Sequence, residues 1–344
     1  MINLKQITIS FLLLLLTSCS TGVGVKKNIE DPVSHNHNGV GNYVIDEKIL
    51  MREKIWKEEE ALRKEFEGHV QVEEEDEEVV GLNRALLLTY HNFAKGAGNG
   101  STVEDSEFYM QMEYLSENKY NVISLSELFD ILEKKKEIPP KTVIITIDDG
   151  WISTKTIALP ILKKFNFPAE LFVYTDIVGK SGKFVTWDDL IEMEKDGINI
   201  QCHSKSHANL RKYKNNPKRL RREIGDAKKI IEEKTGAKCE FFAYPYGKIT
   251  DMIHPLLDEY GYRGAVTINM GFVEPDYNKY RVRRTSISGE YDMSLFEFIM
   301  DPERKPLFYR SKYQKEYDEA KKNKAEAKKK ELEAKNEVVV NKPE

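Results

Sequence analysis

Thr142–Trp151 reads TVIITIDDGW, an apolar run that ends in two adjacent carboxylates and a glycine. A second such run, INIQC (198–202), ends in His203, and the stretch HSKSH sets His207 four residues further on. EFFAY (240–244) runs into Pro245-Tyr246-Gly247, and ALLLTY (85–90) into His91-Asn92. Three of the seven histidines therefore sit at the ends of β-type runs. Two imidazoles and one carboxylate form a standard set for a divalent metal that keeps positions open for water and substrate. Adjacent residues of an extended chain point in different directions. Asp148 and Asp149 can therefore divide the work, one binding metal and the other serving as a base.

Such a set needs a scaffold that brings distant segments to one edge. From Arg84 onward short β-type runs alternate with helical ones. The strand candidates are residues 85–90, 121–125, 142–147, 169–174, 198–202, 240–244, 264–268 and 282–287. Helix candidates lie near 104–118, 126–136, 154–165, 187–196, 217–235 and 250–260, and Thr186 with Asp189 forms a start signal close to a capping box. Alternation over this length predicts an α/β fold with a parallel sheet. Seven or eight strands suit a barrel better than an open doubly wound sheet, and no Gly-rich phosphate loop joins a strand to a helix. In parallel α/β folds reactive groups gather at the carboxyl ends of the strands, where all four motifs are expected.

ITIDDGW, HSKSH and FAYPYG together resemble the signature motifs of the NodB-homology polysaccharide deacetylases, carbohydrate esterase family 4. The resemblance spans residues 85–290, and YHNF, ITIDDGW, TWDDL and YPYG are most similar to the biofilm poly-N-acetylglucosamine deacetylase branch. It implies a distorted (β/α) barrel of about seven parallel strands. By position, Asp148 corresponds to the general base, and Asp149, His203 and His207 to ligands of a divalent ion, usually zinc, with cobalt, nickel or another ion as alternatives. Tyr246 corresponds to the residue whose backbone N–H helps hold the oxyanion, and Ser204 to a support of the histidine loop. The implied reaction is hydrolysis of an N-acetyl group on an amino sugar. Two departures stand out. No histidine follows His254, so the general acid is sought at His91. The third motif lacks its usual Arg, so Arg284 in RVRRTSI is the candidate to orient the base from another strand. Pro245, Trp151 and Tyr244 are expected beside Tyr246 in a sugar-binding groove, and Trp187 in the core.

The rest of the chain frames this domain. Lys5 precedes an apolar stretch, Ile7 to Leu16, far short of the roughly 20 residues that span a bilayer. LTSC, ending at Cys19, resembles a bacterial lipobox, which implies an exported protein held to a bacterial membrane in the cell envelope by lipid on Cys19. The expected organisation is a signal peptide over 1–18, a tether over 19–83, a deacetylase domain over 84–304 and a charged, helical or disordered tail over 305–344. The tether holds His35 and His37, a helical stalk over 45–68 and the acidic run EEEDEE (73–78). Net charge is only −4, which gives no reason to expect nucleic acid. The expected partners are an N-acetylated polysaccharide and the membrane, with a monomeric protein. Cys202 and Cys239 are expected as free, buried thiols at opposite ends of the sheet, beyond disulfide reach. The competing readings are an O-acetyl esterase acting on acetylated glycans, a non-catalytic glycan-binding lipoprotein and a non-haem iron oxygenase. The last would need an all-β fold.

Overall fold

The computed structural model describes residues 83–301 apart from Ala97, together with Leu50, Lys54 and Lys57. The signal peptide, Cys19, His35, His37, the acidic run and the tail lie outside the described residues. The three described residues of the expected stalk are helical, and Lys57 Nζ lies 3.3 Å from Glu117.

Strands and helices alternate as β1 (Ala85–Tyr90), β2 (Asn92–Ala94), β3 (Thr102–Glu104), α1 (Asp105–Glu117), β4 (Asn121–Val122), α2 (Leu125–Glu133), β5 (Thr142–Asp148), α3 (Leu159–Phe165), β6 (Ala169–Val173), α4 (Trp187–Lys195), β7 (Ile198–Cys202), α5 (Pro217–Arg221), α6 (Ala227–Thr235), β8 (Phe241–Ala243), α7 (His254–Glu259), β9 (Gly264–Val266), β10 (Phe272–Val273), β11 (Thr285–Ser286) and α8 (Met293–Met300). Local chemistry sets several boundaries. Ser124 and Glu127 form a capping box at α2, as Thr186 and Asp189 do at α4. For this reason NVISL yields only a two-residue strand: Ser124 is already committed to the helix. The helices expected over 154–165 and 217–235 each contain a π-helical turn, at Thr154–Ala158 and Arg222–Asp226. In the second, Gly225 packs against the ring of Tyr260 where no Cβ would fit.

The main sheet runs in the order β10-β1-β5-β6-β7-β8-β9, with β4 beside β5 and β11 beside β1. All its pairings are parallel except β10 with β1. The sheet curls until its ends share a neighbour. The segment leading into β11 bonds β9 through Val282 N to Ala265 O, and Ile287 N then bonds Thr89 O on β1. The result is the curled α/β sheet expected of a distorted barrel.

Alternation sorts the strand residues into two layers. Leu86, Leu88, Ile145, Leu171, Ile200 and Phe242 face the surrounding helices. Leu87, Ile144, Phe172, Phe241, Val266 and Val282 face inward, where Leu125, Leu128 and Phe129 of α2 join them. Inward positions nearer the strand ends are polar: Thr146 and Asp148 on β5, Glu170 on β6, Gln201 on β7 and Arg284 before β11, all buried.

One expectation is corrected here. Cys202 and Cys239 are free and buried, but they are not at opposite ends of the sheet: their thiols lie within hydrogen-bonding reach of each other. The reason is register. β8 is short and staggered, so Cys202 at the end of β7 pairs with Phe242 in the middle of β8. The chain entering β8 therefore passes the carboxyl end of β7.

Candidate metal centre and active site

β5 stays extended as far as Asp148, whose side chain continues the inward row of Ile144 and Thr146. Its carboxylate receives both arms of one guanidinium. Arg284 Nη1 donates to Oδ1 and Nη2 to Oδ2, each at 2.7 Å. Arg284 is itself fixed, with Nε donating to Thr267 O at 2.8 Å and Nη1 to Thr146 Oγ1 at 3.1 Å. Burial pushes the Asp148 carboxyl up. The charge of Arg284, then that of His203, and the hydrogen bonds from Arg284 outweigh burial and hold it well below the usual carboxylate range. Asp148 is thus an oriented, ionised acceptor.

Asp149 leaves the strand. Its φ of 79°, followed by Gly150 at 79°, turns the chain and sends the second carboxylate elsewhere. Asp149 Oδ1 lies 3.7 Å from His203 Nε2 and 3.5 Å from His207 Nε2, and the two Nε2 atoms are 3.1 Å apart. His203 Nδ1 lies 2.9 Å from Ala243 O. A bond donated there makes Nδ1–H the proton-bearing nitrogen and leaves Nε2 as an acceptor facing the site. Burial, then the charge of His203, lowers the pKa of His207 to about 4, so its ring is neutral at ordinary pH. Asp149 Oδ1 is buried with no hydrogen-bond partner. A bare carboxylate oxygen facing an imidazole lone pair repels it unless a cation lies between them, and this donor set suits a divalent ion.

Other residues hold the histidine loop in shape. Ser204 Oγ accepts the His207 N–H at 3.0 Å. Of the eight non-glycine residues with positive φ among the described residues, four are Asp149, Ser204, His207 and Tyr246. Left-handed backbone of this kind persists only where the surroundings enforce it, and it clusters at functional sites. Glu223, absent from the sequence expectations, is fully buried and accepts from Ser206 N at 2.9 Å and Ser206 Oγ at 2.8 Å. Its signal was a carboxylate among the buried residues Leu220, Ile224 and Ala227 of a helical run.

With this geometry in place the chain can be set beside known proteins. Residues 135–265 match the model of the polysaccharide deacetylase family. The region that carries Asp148, Asp149, His203 and His207 belongs to that family. The chain is 28% identical over 210 residues to YxkH of Bacillus subtilis, covering 61% of this chain and 74% of that protein. It is 26% identical over 235 residues to the poly-β-1,6-N-acetyl-D-glucosamine N-deacetylase of Staphylococcus aureus strain MRSA252, covering 60% and 80%. Among solved structures, the Streptococcus pyogenes deacetylase PplD superposes with a TM-score of 0.60 at 23% identity, over 64% of this chain and 99% of that one, which shows the shared fold. As a polysaccharide deacetylase the protein is a hydrolase acting on amide bonds.

The remaining candidates of this deacetylase divide. The structure brings Asp148, Arg284, Asp149, His203 and His207 together. His91 lies close enough for its charge to act on both Asp148 and His207, and its Nδ1 is buried without a partner. Tyr246 is 56% exposed and its ring packs at a tilt against His207, with centroids 4.6 Å apart. Trp151 is half-buried and its ring packs at a tilt against Phe184, with centroids 4.6 Å apart. Two groove assignments are corrected. Tyr244 is fully buried on the outer face with Phe242, and its hydroxyl donates to Tyr280 O, so no sugar reaches it. Pro245 is also buried and opens the turn that carries Tyr246. His254 packs at a tilt against Tyr280, and Trp187 packs against the helical side of the core.

Proposed function

We propose that this deacetylase removes N-acetyl groups from an N-acetylglucosamine-containing polysaccharide of the bacterial envelope or a biofilm, with Asp148 as general base. The observation that carries the reading is the division of Asp148 and Asp149. One carboxylate is locked on a guanidinium, and its neighbour presents an unpaired oxygen to two imidazoles. The Staphylococcus aureus relative, named for N-deacetylation of poly-β-1,6-N-acetylglucosamine, supports the substrate class.

Asp149, His203 and His207 would hold the metal, with zinc as the proposed ion. A bound divalent ion supplies Lewis acidity, polarising the acetyl carbonyl and lowering the pKa of water from about 15.7 towards 7. Asp148 accepts the proton of the attacking water, and Arg284 keeps both its oxygens aimed. The Tyr246 backbone N–H donates to the developing oxyanion, a contribution of roughly 2.7–4 kcal/mol for one such donor. The amide C–N bond then breaks and His91 delivers a proton to the departing amine, leaving acetate and a free amino sugar. The proposal includes export and a lipid anchor on Cys19, supported by the apolar run that ends in LTSC. The catalytic domain then occupies 84–304 and the tether 19–83.

The test is acetate release from defined β-1,6 and β-1,4 N-acetylglucosamine oligomers and from O-acetylated xylan oligomers. It is run on the protein as purified, after chelation and after reloading with zinc. Release from the N-acetyl oligomers that stops with chelator and returns with zinc is the expected result. Release confined to the O-acetyl substrate would establish an esterase instead.

A further inference from the structure

A cleft of about 430 Å³ opens directly from the metal centre, lined by His207, Asn209, Lys212, Tyr213, Tyr246 and Lys248 among others. Its size falls within the roughly 300–1,000 Å³ of small-molecule sites. The walls are two loops, one following the histidine motif and the other following β8, tied together where Arg211 Nε donates to Ile249 O at 2.7 Å. Lys212 lies on one wall and Lys248 on the other. Both are exposed, and neither ammonium group has an ion-pair partner among the described residues. Among the described residues no carboxylate lines the cleft. The bias extends beyond it. The stretch from Gly197 to Arg222 holds eight Lys and Arg residues and no Asp or Glu, although the whole chain has net charge −4. Of the eight basic side chains in that stretch, Lys205, Arg219 and Arg221 are neutralised by Asp176, Glu223 and Glu259, which leaves five, Lys212 among them, without such a partner among the described residues.

Two exposed cations on opposite walls of a tied cleft, with no acid among the described residues to satisfy either, make a site for an anion. We infer that this cleft is a subsite for a sugar residue bearing an anionic group, a carboxylate or a phosphate, adjacent to the residue that loses its acetyl group. The exposed ring of Tyr246 and the half-buried ring of Tyr213 give the sugar an apolar face. Lys212 and Lys248 receive its charge. The inference rests on the proposed polysaccharide substrate and narrows it to strands that carry negative substituents. A neutral homopolymer would leave both lysines unused.

The experiment compares three β-linked N-acetylglucosamine pentamers: neutral, oxidised to a carboxylate at one C6, and phosphorylated at one C6. The full-length, metal-loaded protein is used with Lys212→Met, Lys248→Met and the double variant, and Lys212→Arg serves as the charge-retaining control. Acetate release gives KM and kcat. Calorimetric titration of the Asp148→Asn protein, alone and combined with each lysine change, gives Kd without turnover. An anionic pentamer is expected to bind about three- to tenfold more tightly than the neutral one per lysine engaged. The advantage should fall as salt rises. The double variant should bring all three pentamers within about a factor of two of one another, while Lys212→Arg keeps the preference. Preference for one charged pentamer over the other identifies the anion. Equal affinities in the parent protein, or a preference that survives in the double variant, overturn the inference. Absence of acetate release from every pentamer would instead refute the proposed deacetylation, and the titrations would still decide the subsite.

Discussion

Asp148 and Glu170 sit on adjacent strands with their side chains on the same inner face of the curled sheet. They are only two residues apart in register, since Glu170 pairs with Thr146. Both are buried, and burial pushes both carboxyls up. Their acidities nonetheless diverge. Asp148 faces the Arg284 guanidinium and is held well below the usual range. Glu170 receives only neutral donors, Leu125 N at 2.8 Å, Asn199 Nδ2 at 3.0 Å and Gln201 Nε2 at 2.9 Å, and burial carries it to about 7. Phe172 lies one step along β6 from Glu170, directly beside Asp148, and Arg284 packs over its ring at 5.3 Å. The comparison teaches that depth in the sheet is the same problem for both acids and that the partner decides the answer. A full positive charge keeps a carboxylate ionised for chemistry. Neutral hydrogen bonds make a peg whose proton is optional.

The largest break in this comparison is Asp148→Asn. It leaves the shape but removes the proposed proton acceptor, so acetate release should fall by about 10²–10⁴-fold, the usual contribution of a general base. Metal content, measured by atomic absorption, should persist because Asp149, His203 and His207 are untouched. Retained activity would remove Asp148 from the proton-accepting role.

Arg284→Met turns Asp148 into a second Glu170. A buried carboxylate stripped of its guanidinium should destabilise the fold by about 3–5 kcal/mol at neutral pH, read by chemical denaturation. The acid limb of kcat/KM should also move to higher pH, because burial is then unopposed by Arg284. A limb that stays in place would mean that something other than the guanidinium keeps Asp148 ionised.

Much of this arrangement was legible in the residues, and the failures have physical causes. A motif at the end of an apolar run predicts a side chain at a strand's carboxyl edge, which located Asp148, Asp149 and His203 together. The partnership of Arg284 with Asp148 spans 136 positions, and only sheet closure brings them together. Tyr244 went astray because alternation shows that Phe242 and Tyr244 share a face without telling which face looks inward. Cys202 and Cys239 went astray through strand stagger, which no single-strand pattern encodes. The basic stretch before Glu223 includes the HSKSH motif itself, but only the fold shows that Lys212 lines one cleft with Lys248. Glu223 was visible as a charge on an apolar stripe, though not as the anchor of a loop some seventeen positions away.

Glu170→Gln sharpens the other half of the comparison. A folded pKa of about 7 against an ordinary 4.5 means that the folded state holds this proton more tightly than the unfolded chain. The stabilisation is complete below pH 4.5 and is lost as pH rises through 7, about 3 kcal/mol in all. Asp148 has the opposite sign, stabilising above its ordinary value of 3.8 and losing that contribution as pH falls. In Glu170→Gln the decline in unfolding free energy between pH 4.5 and 7 should flatten. An unchanged slope would show that Glu170 is not the group responsible.

Glu223→Gln gives the smallest effect and tests an intermediate case. Glu223 is as buried as Glu170, yet it has a cationic partner, Arg219, at 2.8 Å, and that partner is partly exposed. Its two oxygens hold Ser206, directly before His207, so it would act on the metal only by fixing the loop. Replacing one oxygen by an amide puts a donor opposite either Ser206 N–H or the Ser206 hydroxyl, and the hydroxyl can rotate to accept where the N–H cannot. The loop should loosen without losing its ligands. Metal affinity, measured by competition with a chromogenic chelator, should weaken by about 10–100-fold, the usual consequence of disturbing a support one bond removed from a ligand. Saturating metal should restore most of kcat, which no amount of metal would do for Asp148→Asn. If activity stays low at saturation, Glu223 sets the position of His207 for the reaction itself and not only for holding the ion.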